Sequence, residues 1–443
     1  MLSRRSFNRL AGRMGVAALT APLWQNSFCS KAFAATTNDY KAVILVTLEG
    51  GNDGNNTLIP LDSTTYAHYA AVRTSLALSQ SSCNILASQT GGQSFGLHPA
   101  LKNVAALYNR GSAAVVANIG PLARPVTKAQ ILANPTLAPQ ALLSHPAGVN
   151  QWESASAEAL PSTGWGGRIA DLVASQSGTL PPLFDTAGES IFTVGRSVQA
   201  ISVTGVAGQI SMLPTGIQSA ILRIANADGQ SHNQIVAAAG TLRVQSMQQQ
   251  ALIAQAQTSG SPLSTVFPTS AFGQAMQAIA SVINGRSVIG ASRQIFYAQQ
   301  GLYDTHGSQL GIQNSYLTDL DAGLGAMMLA LQEMGLANQV LICTHSDFNR
   351  SMLANTSAGS DHAWGNHQLI LGGGISGGKI IGTYPDLDLG GSMDLNGYGT
   401  WIPSLSVCQM TGAIGGWMGL STSQVSAVFP DLSNFSAGAI NLT

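Results

Sequence analysis

The run from Lys41 to Leu48 (KAVILVTL) constrains this chain most, since it is almost continuously apolar and β-branched and halts at Gly50-Gly51-Asn52-Asp53-Gly54. A strand that does not alternate polar and apolar side chains has no face to offer water. It must be covered on both sides, which is the situation of a parallel sheet between two helical layers. Pro99 then opens a helical pattern with Leu101, Val104, Leu107 and Tyr108 on one face, Gly111 stops it, and Ala113 to Ile119 (AAVVANI) reads as a second buried strand.

The alternation continues later in the chain. Arg293 to Gln299 and Gln339 to Thr344 are predicted strands, Ser308 to Leu336 a long helix, Gln368 to Leu371 a short apolar run before three glycines, and Ser404 to Met418 a terminal helix. Between these halves, about 188–290, Gln-rich and Ala-rich helical stretches (His232 to Thr258, Ala271 to Asn284) lie among Gly, Ser and Pro, and are read as a helical insertion. The expectation is one α/β domain over residues 35–443, with a mainly parallel sheet and helices on both faces. No period suggests a solenoid or a propeller.

Composition narrows the partners. Only 9% of the 443 residues are charged, against about 25% in an ordinary globular protein. The 19 Lys and Arg balance 20 Asp and Glu, with no basic cluster beyond the first residues, so nucleic acid is not an expected partner. No later stretch is long and apolar enough for a membrane span, so no transmembrane anchor is expected in the mature chain.

The first residues form their own unit. Ser3-Arg4-Arg5-Ser6-Phe7-Asn8-Arg9 precedes a modest apolar run from Met14 to Trp24 and then Ala32-Phe33-Ala34, a small-residue cleavage site, and residues 1–34 contain no acid. This is the pattern of a twin-arginine signal, with the twin-arginine export machinery as the expected partner and a periplasmic or secreted product. Cleavage would remove five of the 19 basic residues, leaving 14 against 20 acids. It would also remove Cys29, and the remaining Cys83, Cys343 and Cys408 are an odd number without a close pair, so no disulfide framework is indicated.

In open parallel sheets, ligands bind beyond the carboxyl ends of the strands. Four places there carry acids or imidazoles: Asp53, then Asp304-Thr305-His306, then Ser346-Asp347, then Asp361-His362 with His367. Each alone is equally readable as a turn or a helix cap. Their convergence in a chain with 20 acids and 8 histidines points to a metal site; carboxylate oxygen with imidazole nitrogen suits zinc or manganese, and fewer imidazoles favour magnesium or calcium.

The same segments carry a resemblance. LVTLEGGNDGNNTLIP, LHPAL, Ser144-His145 with Gln151-Trp152-Glu153, GWGGR, YDTHGSQ, THSDFNRS and SDHAWGN occur in order, together with Ile402-Pro403-Ser404 and Val428-Phe429-Pro430. They resemble the domain-of-unknown-function 1501 family of exported bacterial proteins in the alkaline phosphatase and sulfatase-like superfamily. The resemblance implies an alkaline-phosphatase-like sheet with one or two divalent metals. It implies Asp53, Asp304, His306, Asp347, Asp361 and His362 as metal residues and Ser144 where a nucleophile would fall, a position that also reads as a helix N-cap. In such a site Arg350 would either pair with the substrate anion or fix its loop by a salt bridge. Trp152 is read as core and Arg168 as a helix anchor. Two carboxylates usual in the family are missing: Pro146-Ala147 follows the Ser-His pair, and Gly307 follows His306.

Two functions are compatible with these residues. One is an exported, metal-dependent hydrolase of a small anionic phosphate or sulfate ester. The other is a catalytically silent exported binding or assembly protein that retains the fold. The export reading is directly testable: replacing Arg4 and Arg5 by Lys should strand the precursor in the cytoplasm, as followed by fractionation, and normal export of that variant would remove its main support.

Overall fold

The computed structural model describes residues 39–442 apart from 88–92, 177, 189 and 204–214. The export segment expected over residues 1–34 therefore lies outside the described residues. The central sheet contains β1 (Lys41–Leu48), β2 (Ala113–Gly120), β3 (Leu183–Asp185), β4 (Ile201–Ser202), β5 (Arg293–Gln300), β6 (Val340–Ser346), β7 (Asn366–Gly372), β8 (Ile380–Gly382) and β9 (Leu405–Ser406). Their order is β8-β2-β7-β6-β1-β5-β3-β4, with β9 also paired to β2. Strand β1 is parallel to both its neighbours, in register Ala42 to Gln294 of β5 and Ala42 to Val340 of β6. Strand β7 alone runs against its neighbours, antiparallel to β2 and β6.

The expected two-sided burial of β1 is visible residue by residue. Ala42, Ile44, Val46 and Leu48 join one core cluster, and Val43 and Leu45 join the other. Burying each large aliphatic side chain contributes roughly 1.5–3 kcal/mol, so the strand is anchored from both faces. The first cluster is roofed by α2 (Lys102–Asn109), α7 (Ala271–Asn284) and α8 (Gln309–Glu333); the second by α3 (His145–Ser154), α4 (Trp165–Val173) and α9 (Val407–Trp417). A short helix α1 (Ser63–Arg73) leads away from the loop after β1.

The region 188–290 holds β4 and the helices α5 (Thr215–Gly229), α6 (Gln234–Ser259) and α7. These helices differ in role. Most of α6 faces solvent, whereas Phe272, Met276, Ile279 and Ile283 of α7 are core residues against the sheet. Among the described residues no helix is long and apolar enough to cross a membrane. Cys83, Cys343 and Cys408 are buried free thiols.

One irregularity places a sequence candidate away from the site. Asn118 in β2 has φ +48°, and the pairing of β2 with β7 shifts register between Asn366 and Gln368. At this bulge the Asn118 backbone N–H donates to His367 Nδ1 at 3.0 Å, and the imidazole stacks on Tyr384 inside the protein. Burial holds His367 neutral, with its pKa pushed down to about 3, and holds buried His98 and His345 down to about 4 each. In the unfolded chain such imidazoles protonate near pH 6.5. The unfolded state therefore binds more protons below that pH, and each residue withdraws stability as pH falls from about 6.5 towards its folded value. We expect the ring signals of these three histidines to stay neutral down to pH 5 in NMR titrations. The stability advantage of the native chain over His367→Phe should shrink between pH 7 and pH 5.

Candidate metal centre

The loop after β1 can form only because of its glycines. Gly50 and Gly51 adopt φ of +97° and +85°. A Cβ on Gly50 would stand 2.6 Å from the Asp304 backbone nitrogen, and one on Gly51 2.6 Å from the Phe348 ring. The close approach brings the loops after β1, β5 and β6 into one another at the carboxyl edge of the sheet. Phe348 is buried there as a floor, its ring 4.7 Å from that of His145 and 4.3 Å from that of His362.

Above this floor, three imidazoles surround one carboxylate. Asp304 Oδ1 lies 3.0 Å from His306 Nε2 and 3.6 Å from His362 Nε2, and Asp304 Oδ2 lies 3.5 Å from His145 Nε2. The two nitrogens His306 Nε2 and His362 Nε2 are 3.0 Å apart. Each ring is fixed from behind: His145 Nδ1 donates to Asp347 Oδ2 at 2.7 Å, His306 Nδ1 to Asp361 Oδ1 at 3.0 Å, and His362 Nδ1 to the Leu143 carbonyl at 2.8 Å. With an oxygen acceptor facing each Nδ1, the hydrogen is assigned to Nδ1, and a ring in its neutral form then turns an Nε2 lone pair towards Asp304.

Lone pairs 3.0 Å apart repel unless a proton or a cation is shared between them. Ligating histidines are held in this way, with the outer nitrogen bound to a carboxylate or carbonyl. Ligands in a tetrahedron about 2.1 Å from a small divalent ion stand about 3.4 Å from one another. Asp304 Oδ1, His306 Nε2 and His362 Nε2, separated by 3.0, 3.0 and 3.6 Å, form a triangle near that size, and His145 Nε2 faces the other carboxylate oxygen at 3.5 Å. Donor atoms of His145, Asp304 and His362 all lie within 4.8 Å of one another.

The electrostatics of the group are uneven. The hydrogen bond to Asp347 outweighs partial burial and raises the pKa of His145, whereas burial lowers that of His362. For Asp304 burial works upward, but the hydrogen bond and charge of Arg350 carry the net shift down, keeping it ionised.

The remaining sequence candidates take other positions. Asp347 is buried, accepting from the Gly50 N–H as well as from His145. Asp361 touches the centre through His306. Asp53 is buried below the loop; its carboxylate pairs with the guanidinium of buried Arg73, accepts from Gln309 Nε2 at 2.5 Å and caps the turn Gly54–Asn56. Arg350 is fully buried. Its Nε donates to Gly51 O, Nη2 to Gly50 O and to Asp304 Oδ1 at 2.5 Å, and Nη1 to Ser360 O, with His306 Nε2 at 3.4 Å. Ser144 occupies the N-cap position of α3, beside His145, and its hydroxyl makes no capping bond.

Sequence reasoning thus brought together Asp304, His306, Asp361 and His362, and left out two participants. His145 was seen only as part of a Ser-His pair, and the signal that could have promoted it was its scarcity, as one of 8 histidines. Arg73 gave no signal at all, being one basic residue at the end of an unremarkable helix.

No curated protein matches the chain. Among solved structures, the phosphonate monoester hydrolase SpPMH from Silicibacter pomeroyi is 10% identical, with 86% of this chain and 74% of that one covered at a TM-score of 0.35. A 2-O GAG sulfatase is 10% identical over 86% and 71% of the two chains, TM-score 0.33. Alkaline phosphatase from the Antarctic bacterium TAB5 is 10% identical over 79% and 96%, TM-score 0.30. Residues 40–392, most of the chain, match the family described as protein of unknown function (DUF1501), and the protein belongs to that family.

Proposed function

We propose that the protein is an exported, periplasmic or secreted hydrolase of phosphate or sulfate esters that works with a divalent metal ion. The observation that carries this reading is the orientation of three imidazoles, each tied at Nδ1 and each presenting Nε2 to the Asp304 carboxylate. In this reading His145, Asp304, His306 and His362 hold the ion. Asp347 and Asp361 orient His145 and His306, and Asp53 braces the loop through Arg73. The nitrogen-rich donor set favours zinc or manganese over magnesium or calcium.

A bound divalent ion would polarise an ester oxygen and favour attack at phosphorus or sulfur. The chain supplies the rest. Arg350 keeps Asp304 ionised and fixed, while Phe348 keeps water from beneath the rings of His145 and His362. The Ser144 hydroxyl, uncommitted to its helix, is the candidate nucleophile.

One observation favours a second reading, a catalytically silent exported binding protein. Arg350 and Arg73, the buried guanidiniums of the region, spend their donors on protein acceptors, so neither is free to clamp a substrate anion. Metal and activity measurements separate the two.

Purified mature protein should contain a divalent metal, and Asp304→Ala or His362→Ala should lower its occupancy at least about tenfold. Asp361→Asn should weaken metal affinity roughly 10–100-fold, as loss of an outer partner does. A metal-free protein that also fails to take up zinc, manganese, magnesium or calcium would overturn the centre. Asp53→Asn should keep the metal yet cost roughly 3–5 kcal/mol of stability by leaving Arg73 buried without its counter-ion.

Activity is tested on aryl phosphate monoesters, diesters and sulfates with each metal in turn. Loss of turnover in His362→Ala with partial retention in Ser144→Ala fits attack by water. Equal loss in both makes Ser144 the nucleophile. No turnover above the His362→Ala background with any metal leaves the silent reading.

A further inference from the structure

A cleft of about 320 Å³ opens at the carboxyl ends of β1 and β5. It adjoins the centre along the chain in two places. Glu49 in its wall precedes Gly50, whose N–H is bound to Asp347, and Leu302 at its rim stands two residues before Asp304. The Tyr303 N–H donates to the Glu49 carbonyl at 2.6 Å, locking these two segments side by side.

The lining is chemically selective. No Lys or Arg forms an ion pair with Glu49 among the described residues. The Gln300 amide is committed to Tyr316 O, Asp319 and Tyr303, and the Thr186 hydroxyl donates to Tyr297 O, while Glu49 and Gln299 are hydrogen-bonded to each other, so this carboxylate–amide pair, with the acceptor and donor positions it has left, is what meets a ligand. Opposite them Ala271 and Ala275 of α7 offer a small apolar wall, and exposed Leu302 adds a branched one. A carboxylate beside an amide accepts and donates at once, matching adjacent hydroxyls, while the alanine wall matches C–H groups. A second anion would be repelled by Glu49, and a quaternary ammonium would find no aromatic ring in the lining.

We propose that this cleft binds the alcohol portion of the substrate, and that this portion is a neutral polyhydroxyl group such as a sugar. The assignment rests on the hydrolase reading for its link to the centre, but the cleft can be tested apart from turnover. Saturation-transfer NMR of the mature protein with glucose, galactose and N-acetylglucosamine, and with choline as the cationic control, reads binding directly. At least one sugar should bind in the millimolar range. Glu49→Gln should weaken it at least fivefold, and Ala271→Trp, which fills the cleft from an exposed position, should abolish it.

Sugar binding that neither variant alters, binding of choline in place of sugar, or no sugar binding would each overturn the proposal. With esters, a sugar phosphate or sulfate should exceed the methyl ester at least tenfold in kcat/KM, and Ala271→Trp should erase the preference. Sugar binding without turnover of any ester would retain the cleft and overturn the hydrolase reading, so the two failures are distinguishable.

Discussion

A guanidinium taken out of water must satisfy all of its N–H groups inside the protein, and Arg350 does so by collecting oxygens from three loops. Two come from Gly50 and Gly51 after β1, one from Ser360 before β7, and one from Asp304 after β5. None of these loops has a reason of its own to approach the others. The charge that must be neutralised, together with the absence of side chains at Gly50 and Gly51, draws them to a common point. Without that clamp, Asp304 would have no fixed place among the imidazoles.

Scarcity of charge gives such contacts their weight. The interior around the loops is organised by a few buried ionic groups, each with several hydrogen bonds, and not by surface networks. Arg73 repeats the strategy one layer deeper, with its Nη1 donating to the carbonyls of Ser351 and Met352 and its Nη2 to Asp53. Removal of either partner leaves the other charged and dry, far costlier than the loss of an exposed pair. The centre therefore stands on a rigid base, although Asp304 and His306 themselves are about half exposed.

The sheet was legible because buried strands differ in kind from amphipathic ones. Lys41–Leu48, Ala113–Gly120 and Arg293–Gln300 are strands within a residue of where their apolar runs predict. The direction of β7 was not legible, because Gln368 to Leu371 is apolar whichever way it runs and strand polarity is decided by tertiary pairing. Position at a strand end pointed to Asp304, His306, Asp347, Asp361 and His362, which lie together, but it also included His367, which lies at the β2–β7 bulge, passed over His145, and did not say which atom each presents. Asp347 and Asp361 read like ligands and lie behind His145 and His306. That arrangement depends on side-chain direction, which a residue spacing does not encode. Asp53 read as a ligand too, and its contact with Arg73 joins two segments that share no pattern.

The reversed strand β7 has one further outcome. Because it pairs antiparallel with β6 (Ile370 opposite Cys343, Gly372 opposite Leu341), the chain leaves the sheet after Ser346 and re-enters it at Asn366 on the same edge. Residues 347–365 form an excursion with neighbouring endpoints, and Asp347, Phe348, Arg350, Asp361 and His362 all belong to it. A segment closed in this way can be exchanged whole between related chains, or drift in length, without disturbing strand register. Diversification of chemistry in this architecture is thereby uncoupled from preservation of its scaffold.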